Sequence, residues 1–280
     1  MTLPPGAREV RRIGGGDINE AYRLVLVGGT EAFLKTRVDA HPGEYALEAE
    51  ALAWLAEPGA VRTPEVLEVD DAFLVLEWVE PGSLSEEGAE ELGRGLAETH
   101  LAGAPRFGDF REAGDGGAIS RFGSLQLPND PAEDWPTFYA DRRLRPLGRL
   151  AQEQGALERR GAQAVERVCE RLPELAGPPE PPARLHGDLW SGNIMPDDQG
   201  RGWLIDPSSY GGHREVDLAM LRLFGAPSRR IFAAYEEAAP LAEGWQQRVE
   251  LYQLLPLLVH ALLFGGSYRA AAERAAMAYA

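Results

Sequence analysis

The chain has 280 residues, a net charge of -16 at pH 7, 44% hydrophobic residues and a single cysteine, Cys169. The negative charge disfavours a nucleic acid or an anionic membrane as partner, because both need a basic surface. One cysteine excludes an internal disulfide and a cysteine-based metal site. Since neither a secretion signal nor an apolar run of about 18 residues is found, we expect a cytoplasmic protein.

The first 80 residues are expected to be rich in β-structure with one helix. Strands are predicted over residues 21–27, 31–38, 66–69 and 72–79. The Gly28-Gly29 turn joins the first two of these as a hairpin. Apolar residues spaced for one helical face predict a helix over 44–57. Pro81-Gly82-Ser83 then interrupts the pattern, which indicates a hinge.

The rest of the chain is expected to be mostly helical. Helices are predicted over residues 86–101, 135–154, 157–172, 216–224, 229–239 and 244–264. The proline-rich stretch 173–182 is expected to be a connector. The sequence therefore predicts an α+β protein of two lobes, a β-rich nucleotide-binding lobe at 1–80 and a helical catalytic and substrate-binding lobe at 81–280, with a cleft between them.

The clearest chemical signal is His186-Gly187-Asp188-Leu189-Trp190-Ser191-Gly192-Asn193. Asp188 and Asn193 have the spacing of a kinase catalytic loop, and Asp206 follows a short apolar strand, where kinases place a metal-binding aspartate. Phosphoryl transfer needs an aimed hydroxyl and neutralised phosphate charge. We therefore predict that Asp188 is the catalytic base and that Asn193 and Asp206 bind Mg²⁺ through oxygen atoms.

Two rare residue types point to further positions. Lys35 is the only lysine in the chain, and asparagine occurs only at Asn19, Asn129 and Asn193. A GC-rich genome would explain this scarcity, so the remaining residues mark places where substitution is not tolerated. Lys35, at the end of a predicted strand, is expected to contact the phosphates of ATP. Glu48 is the expected ion-pair partner of Lys35, and Glu44 on the same helical face remains an alternative.

Other nucleotide contacts are predicted less specifically. The turn formed by Gly14, Gly15, Gly16, Asp17, Ile18 and Asn19 could cover phosphates with its backbone N–H groups, and a simple hairpin turn is the alternative. Adenine is expected to contact Glu77, Trp78 and Val79 at the hinge. His186 is interpreted as orienting the catalytic loop, and Asp217 as either a helix cap or a brace for that loop.

These motifs resemble the fructosamine kinase family (ketosamine 3-kinases), within the protein-kinase-like group of aminoglycoside phosphotransferases and choline kinases. The resemblance runs from about residue 10 to the end of the chain. It is carried by residues 186–193, by Asp206-Pro207 with Tyr210, 212–215 and 217–220, by Gly15-Gly16 with Ile18-Asn19, and by Gly123-Ser124 with Gln126, Asn129, Trp135, Phe138 and 142–144. Asp17, Ser208 and Gly211 depart from the family pattern.

The resemblance implies an ATP- and Mg²⁺-dependent kinase that phosphorylates the sugar 3-hydroxyl of ketoamines. Its substrates would be ribulosamine, erythrulosamine or fructosamine adducts of lysine, free or on proteins, and its role would be protein deglycation. Substrate contacts are expected from Trp190, Gln126, Asn129 and His213. A small-molecule or aminoglycoside phosphotransferase is the alternative enzyme. A nucleotide-binding pseudokinase is the alternative from another class, but it should lack one of the four kinase residues, which are all present.

Overall fold

The computed structural model describes residues 4, 6–14, 19–111 and 118–280. Its N-terminal part is a five-stranded antiparallel sheet in the order β1-β2-β3-β5-β4. The strands are β1 (Ala7–Ile13), β2 (Glu20–Leu26), β3 (Glu31–Thr36), β4 (Val66–Asp70) and β5 (Phe73–Glu77). One helix, α1 (Glu44–Ala56), packs against β4 and β5.

The alternation of side chains along β3 determines which of them face α1. Side chains point to opposite faces at successive positions of a strand. Leu34 packs on one face with Leu24 and Val75. Phe33 packs on the other face with Tyr45 of α1 and with β5. Lys35 shares the parity of Phe33, so its side chain is directed towards α1.

The C-terminal part is mainly helical. Its helices are α2 (Glu86–Ala102), α3 (Trp135–Phe138), α4 (Arg145–Glu153), α5 (Arg159–Leu175), α6 (Glu215–Leu223), α7 (Arg230–Ala238), α8 (Trp245–Leu263) and α9 (Ser267–Tyr279). Short antiparallel pairs join β6 (Ile119–Phe122) to β7 (Leu125–Pro128), β8 (Ala183–Leu185) to β11 (Tyr210–Gly212), and β9 (Ile194–Pro196) to β10 (Gly202–Leu204). In the described residues no helix is long and apolar enough to cross a bilayer.

Two apolar clusters support the functional loops. The larger one combines α3, α4, α5, α8 and α9 with the β8–β11 pair. The smaller one packs α2, α6 and α7 around Leu189, Ile194 and Leu204, which flank the predicted catalytic and metal-binding residues. The loops that carry the chemistry are therefore fixed by buried apolar neighbours on both sides.

The architecture confirms the predicted α+β class, a small β-rich part followed by a larger helical part. The predicted helix over 135–154 contains a π-helical segment, Tyr139–Leu144, between α3 and α4. Pro146 follows this segment and has no N–H to donate to Arg142 O, which accepts instead from the Arg143 side chain at 3.0 Å. The irregular segment thus has a local chemical cause.

Three predictions of secondary structure were wrong or incomplete. The chain does not close at α8, because α9 follows and buries Ala272, Ala275 and Ala276. The β6–β7 hairpin was not predicted. The connector predicted over 173–182 begins later, since α5 continues through Pro173 to Leu175.

Candidate active site

A cavity of about 880 Å³ lies between the sheet with α1 and the helical part. Its lining includes Asn19 and Lys35 from the first part, and Asp188, Asn193 and Asp206 from the second. The size is that of a site for a small molecule or cofactor. The residues predicted for phosphoryl transfer therefore meet in one cleft.

The catalytic loop begins with a close backbone approach. Gly187 has φ +84°, and a Cβ there would lie 2.0 Å from Ser208 O, so only glycine fits. The Asp188 N–H donates to His186 Nδ1 at 3.2 Å, and His186 Nε2–H donates to Ile205 O at 2.9 Å. His186 thus ties the loop to the segment that carries Asp206, as predicted for an orienting role.

Asn193 holds the carboxylate of Asp188. Its Nδ2 donates to Asp188 O at 2.8 Å and to Asp188 Oδ2 at 3.1 Å. Using the amide nitrogen in this way leaves Asn193 Oδ1 as the atom able to coordinate a cation. The same short turn, Ser191–Asn193, therefore fixes the Asp188 carboxylate and leaves an amide oxygen free to accept.

Asp217 braces the catalytic loop by accepting hydrogen bonds from its backbone. It lies in the first turn of α6 and is fully buried. Its carboxylate accepts from the backbone N–H groups of His186 at 2.7 Å and Gly187 at 2.9 Å, and His100 Nε2 lies 3.2 Å away. Of the two roles considered for Asp217, the structure shows the brace.

Lys35 is held between two carboxylates. Its Nζ lies 2.7 Å from Glu48 Oε2 and 2.9 Å from Asp206 Oδ1. Glu44, the alternative partner, instead accepts from Arg37 Nη2 at 2.6 Å. The structure therefore pairs Lys35 with Glu48.

The backbone at Asp206 is unusual. Its φ of +54° is the only positive value of a non-glycine residue in the described part of the chain. Such a conformation costs on the order of 1–3 kcal/mol and occurs mainly at functional sites. Here it presents the carboxylate to Lys35 and to the cleft.

Burial and mutual repulsion control the ionisation of the site. Burial, and then the charge of Asp206, raise the pKa of Asp188 to about 7. Burial alone would raise the pKa of Asp206, but the neighbouring Lys35 outweighs it and lowers that pKa. Burial would lower the pKa of Lys35, but Glu48 and Asp206 raise it. The cleft thus combines a fixed cation with a carboxylate that can exchange a proton near neutral pH.

The acidic residues suit a hard divalent cation. No group of three or more His, Cys, Asp or Glu side chains able to hold a metal is found across residues 19–111 and 118–280. Asp206 and Asn193 would instead supply two oxygens, and Mg²⁺ takes its remaining ligands from water and substrate phosphates. A nearby cation would also relieve the repulsion that raises the pKa of Asp188.

The predicted phosphate turn is described only at its ends. Gly14 and Asn19 line the cleft, and Asn19 Oδ1 accepts from Tyr45 OH at 3.3 Å. Gly15, Gly16, Asp17 and Ile18 lie outside the described residues.

The residues predicted to contact adenine at the hinge, Glu77, Trp78 and Val79, do not line this cavity. Trp78 lies under the Arg23 guanidinium at 4.4 Å and donates from Nε1 to Glu80 at 2.8 Å. Glu77 accepts from the Glu65 N–H at 3.2 Å, and Val79 is buried.

Of the predicted substrate contacts, only Trp190 lines the cavity. Gln126, with its amide oxygen turned to the Arg121 guanidinium, accepts at 3.0 and 3.3 Å. Asn129 is buried and accepts from Arg143 at 2.7 Å, while His213 is buried and stacks on Tyr252. The structure thus places Asn129 and His213 in the interior, where their side chains contact other protein groups, and Gln126 on the surface outside this lining.

Four rings that the sequence analysis did not nominate join Trp190 in the lining. Trp190, Phe224, His260, Phe264 and Tyr268 form a continuous set of rings, the aromatic wall, along the helical side of the cleft. Neighbouring ring centroids lie 4.9 to 6.4 Å apart. Trp190 comes from the catalytic loop, Phe224 and Phe264 from the ends of α6 and α8, His260 from α8 and Tyr268 from α9, so the wall depends on packing between elements that are distant in sequence.

Comparison with known proteins gives consistent findings. The family profile described as fructosamine kinase matches residues 4–279. An Enterococcus faecium protein named as a probable ketoamine kinase is 35% identical over 259 residues, covering 91% of this chain and 89% of that protein. A Thermus thermophilus protein of the same designation is 37% identical over 261 residues, covering 93% and 90%.

Solved structures agree in fold. A crystal structure from Thermobifida fusca, assigned as a fructosamine-3-kinase, superposes with a TM-score of 0.89 at 43% identity, covering 98% of this chain and 93% of that one. A choline kinase from Streptococcus pneumoniae superposes with a TM-score of 0.63 at 16% identity, covering 98% and 94%. The second likeness concerns the fold alone, which is the protein-kinase-like one.

Proposed function

The chain belongs to the fructosamine kinase family, and we propose that it transfers the γ-phosphoryl group of ATP to a sugar hydroxyl of a ketoamine. The chain is thus a kinase, and its substrate and the roles of its residues form the proposal. The observation that carries it is the convergence of Asp188, Asn193, Asp206 and the Lys35–Glu48 pair in one cleft.

Each residue then has a chemical role. The acceptor oxygen attacks the γ-phosphorus while its proton passes to Asp188, and the bond to the β-phosphate oxygen breaks to release ADP. Asn193 keeps the Asp188 carboxylate aimed. Lys35, fixed by Glu48, neutralises phosphate charge. Asp206 and Asn193 would hold Mg²⁺, which supplies further charge neutralisation when bound.

The two parts of the chain divide this work. We assign residues 1–80 to ATP binding, through Lys35, Glu48, Asn19 and the turn 15–18. Adenine contacts at Glu77, Trp78 and Val79, which do not line the cavity, stay a prediction. Residues 81–280 carry Asp188, the metal ligands and the acceptor site.

The names of the relatives support a ketoamine as acceptor. We propose lysine adducts of ribulose, erythrulose or fructose, and protein deglycation as the outcome. Trp190, on the aromatic wall beside Asp188, is the proposed contact for the acceptor.

The test is ADP release with Mg-ATP on ribulosyl-, erythrulosyl- and fructosyl-lysine, next to a panel of aminoglycosides. We expect turnover on at least one ketoamine and none on aminoglycosides. Activity confined to aminoglycosides would overturn the substrate class. ATP binding with no transfer to any acceptor would instead support a pseudokinase.

A further inference from the structure

The aromatic wall exposes rings that a folded protein would normally bury. Phe264 is 53% exposed and Trp190 is 38% exposed. The other large hydrophobic side chains with high exposure in the described chain are aliphatic and lie outside the wall. Both exposed aromatics line the same cleft. Exposed apolar surface concentrated in a cavity indicates a ligand surface.

Contacts among its own rings and with α8 hold the aromatic wall in place. The His260 ring lies at its centre, 4.9 Å from Phe224, 5.3 Å from Phe264 and 5.0 Å from Tyr268. His260 Nδ1–H donates to Pro256 O at 2.7 Å, which fixes the ring in the last turns of α8. Trp190 then connects the wall to the catalytic loop through its contact with Phe224. The rings are therefore preorganised rather than loose.

The wall has the wrong chemistry for a phosphate and the right one for an alkylammonium group. Aromatic faces carry negative potential and attract cations, while their area covers apolar stems. Burial lowers the pKa of His260, so this ring is neutral at physiological pH and adds no positive charge. Lys35, the cation suited to phosphate, lies with Asp206 instead.

The connectivity of a ketoamine matches this arrangement. Its amine nitrogen is only a few covalent bonds from the hydroxyl that would be phosphorylated, so both groups fit within a span of roughly 5 Å. A hydroxyl placed at Asp188 would leave the amine within that span, and Trp190, two residues along the same loop, is the wall residue next to Asp188 in sequence. A free sugar has no group to occupy that surface.

We propose that the aromatic wall binds the alkylamine substituent of the acceptor, so that Phe224, His260, Phe264 and Tyr268 determine a preference for long aliphatic amines such as the lysine side chain. This inference rests on the proposed function and adds the part of the acceptor that is recognised. It makes these residues determinants of specificity, distinct from the groups that perform the transfer.

The test compares two acceptors that share one sugar, the ketose adduct of Nα-blocked lysine and that of methylamine. Phe264→Ala removes the most exposed ring, so folding should be preserved. We expect kcat/KM for the lysyl adduct to fall about tenfold, mainly through KM, since one aromatic contact to a cation or stem is worth roughly that factor. The methylamine adduct should change by less than about twofold.

Leu101→Ala is the matched control, because Leu101 is exposed on the same helical part but outside the cleft. Phe264→Leu, which keeps apolar area without an aromatic face, should lie between wild type and Phe264→Ala. An unchanged ratio of the two acceptors in Phe264→Ala, with wild type active on both, would overturn the inference. Parallel losses on both acceptors would also overturn it. Wild type that turns over neither adduct would instead overturn the proposed function.

Discussion

The surroundings of Asp188 disfavour the charged form of its carboxyl group and also give that group a pKa suited to proton transfer. Its side chain lines the cleft together with Asp206, and burial and then the charge of Asp206 raise its pKa to about 7. A base whose pKa lies near the working pH is effective in proton transfer. The same environment costs folding free energy whenever the carboxylate is charged.

This conflict predicts a pH-dependent stability effect. Because the folded pKa of Asp188 exceeds its unfolded value, the folded state binds the proton more tightly, and stability is lost as pH rises from about 4 to 7. Asp188→Asn removes that loss. Without Mg²⁺ it should therefore be more stable than wild type at pH 8, by about 1–2 kcal/mol after allowing for partial solvent screening, and nearly equal to it at pH 4.

Urea unfolding at several pH values measures this difference. Asp198→Asn, which changes an exposed aspartate in the turn after β9, is the control and should show no trend. If the stability of Asp188→Asn relative to wild type falls as pH rises, then charging the Asp188 carboxylate does not destabilise the folded protein.

Sequence spacing was sufficient to nominate the residues that the structure brings together. The five-residue interval from Asp188 to Asn193 and the rarity of lysine both pointed to the cleft. Spacing could not choose between Glu44 and Glu48, because both lie on one face of α1. The choice depends on Arg37, which takes Glu44 as its own partner. Nor could it show that Asn129 and His213 face the interior, since that depends on packing around Arg143 and Tyr252.

At the scale of elements, α6 positions the catalytic loop through a single buried carboxylate. Asp217 accepts two backbone N–H groups from the loop and contacts His100. Asp217→Ala would leave these groups buried without an acceptor. We expect a loss of about 3 kcal/mol or more in unfolding free energy and at least tenfold in kcat, since the loop that aims Asp188 is released.

Denaturant midpoints and kcat for Asp217→Ala check this expectation. Asp217→Asn should lie between it and wild type, because an amide oxygen still accepts one of the hydrogen bonds. Glu237→Ala, an exposed acid on α7, is the control. A wild-type midpoint for Asp217→Ala would show that the loop does not depend on the brace.

Elements with strong periodicity were predicted well, and irregular ones were not. Helix α2 was expected at 86–101 and lies at Glu86–Ala102, with Ser85 accepting from the Gly88 N–H at 2.9 Å as a cap. Helix α9 was missed because its buried face consists of alanines, which give weak periodic contrast. The π-helical segment before Pro146 has a local cause in that proline, but its residue Arg143 also donates to Pro128 O at 2.7 Å, a tertiary contact that periodicity does not reveal.

Across the whole molecule, α1 is anchored to the helical part at one end and reaches the cleft at the other. Arg184 of β8 donates to Trp54 O and to Glu57 at 2.7 Å, and its guanidinium lies 4.6 Å from the Trp54 ring. Trp54 also stacks on Phe110 at 4.3 Å. These contacts fix the helix that carries Glu48, so that Lys35 is already paired in this structure.

The most direct test of the account is to follow the phosphoryl group itself. Wild-type protein and Asp188→Asn are incubated with Mg-ATP and the ketose adduct of lysine, and the product is identified by mass spectrometry and ³¹P NMR. We predict a phosphorylated ketoamine with wild type, and a rate lower by about a hundredfold or more with Asp188→Asn while Mg-ATP affinity is nearly kept. Near-normal transfer by Asp188→Asn, or ATP hydrolysis by wild type without a phosphorylated ketoamine, would contradict the account.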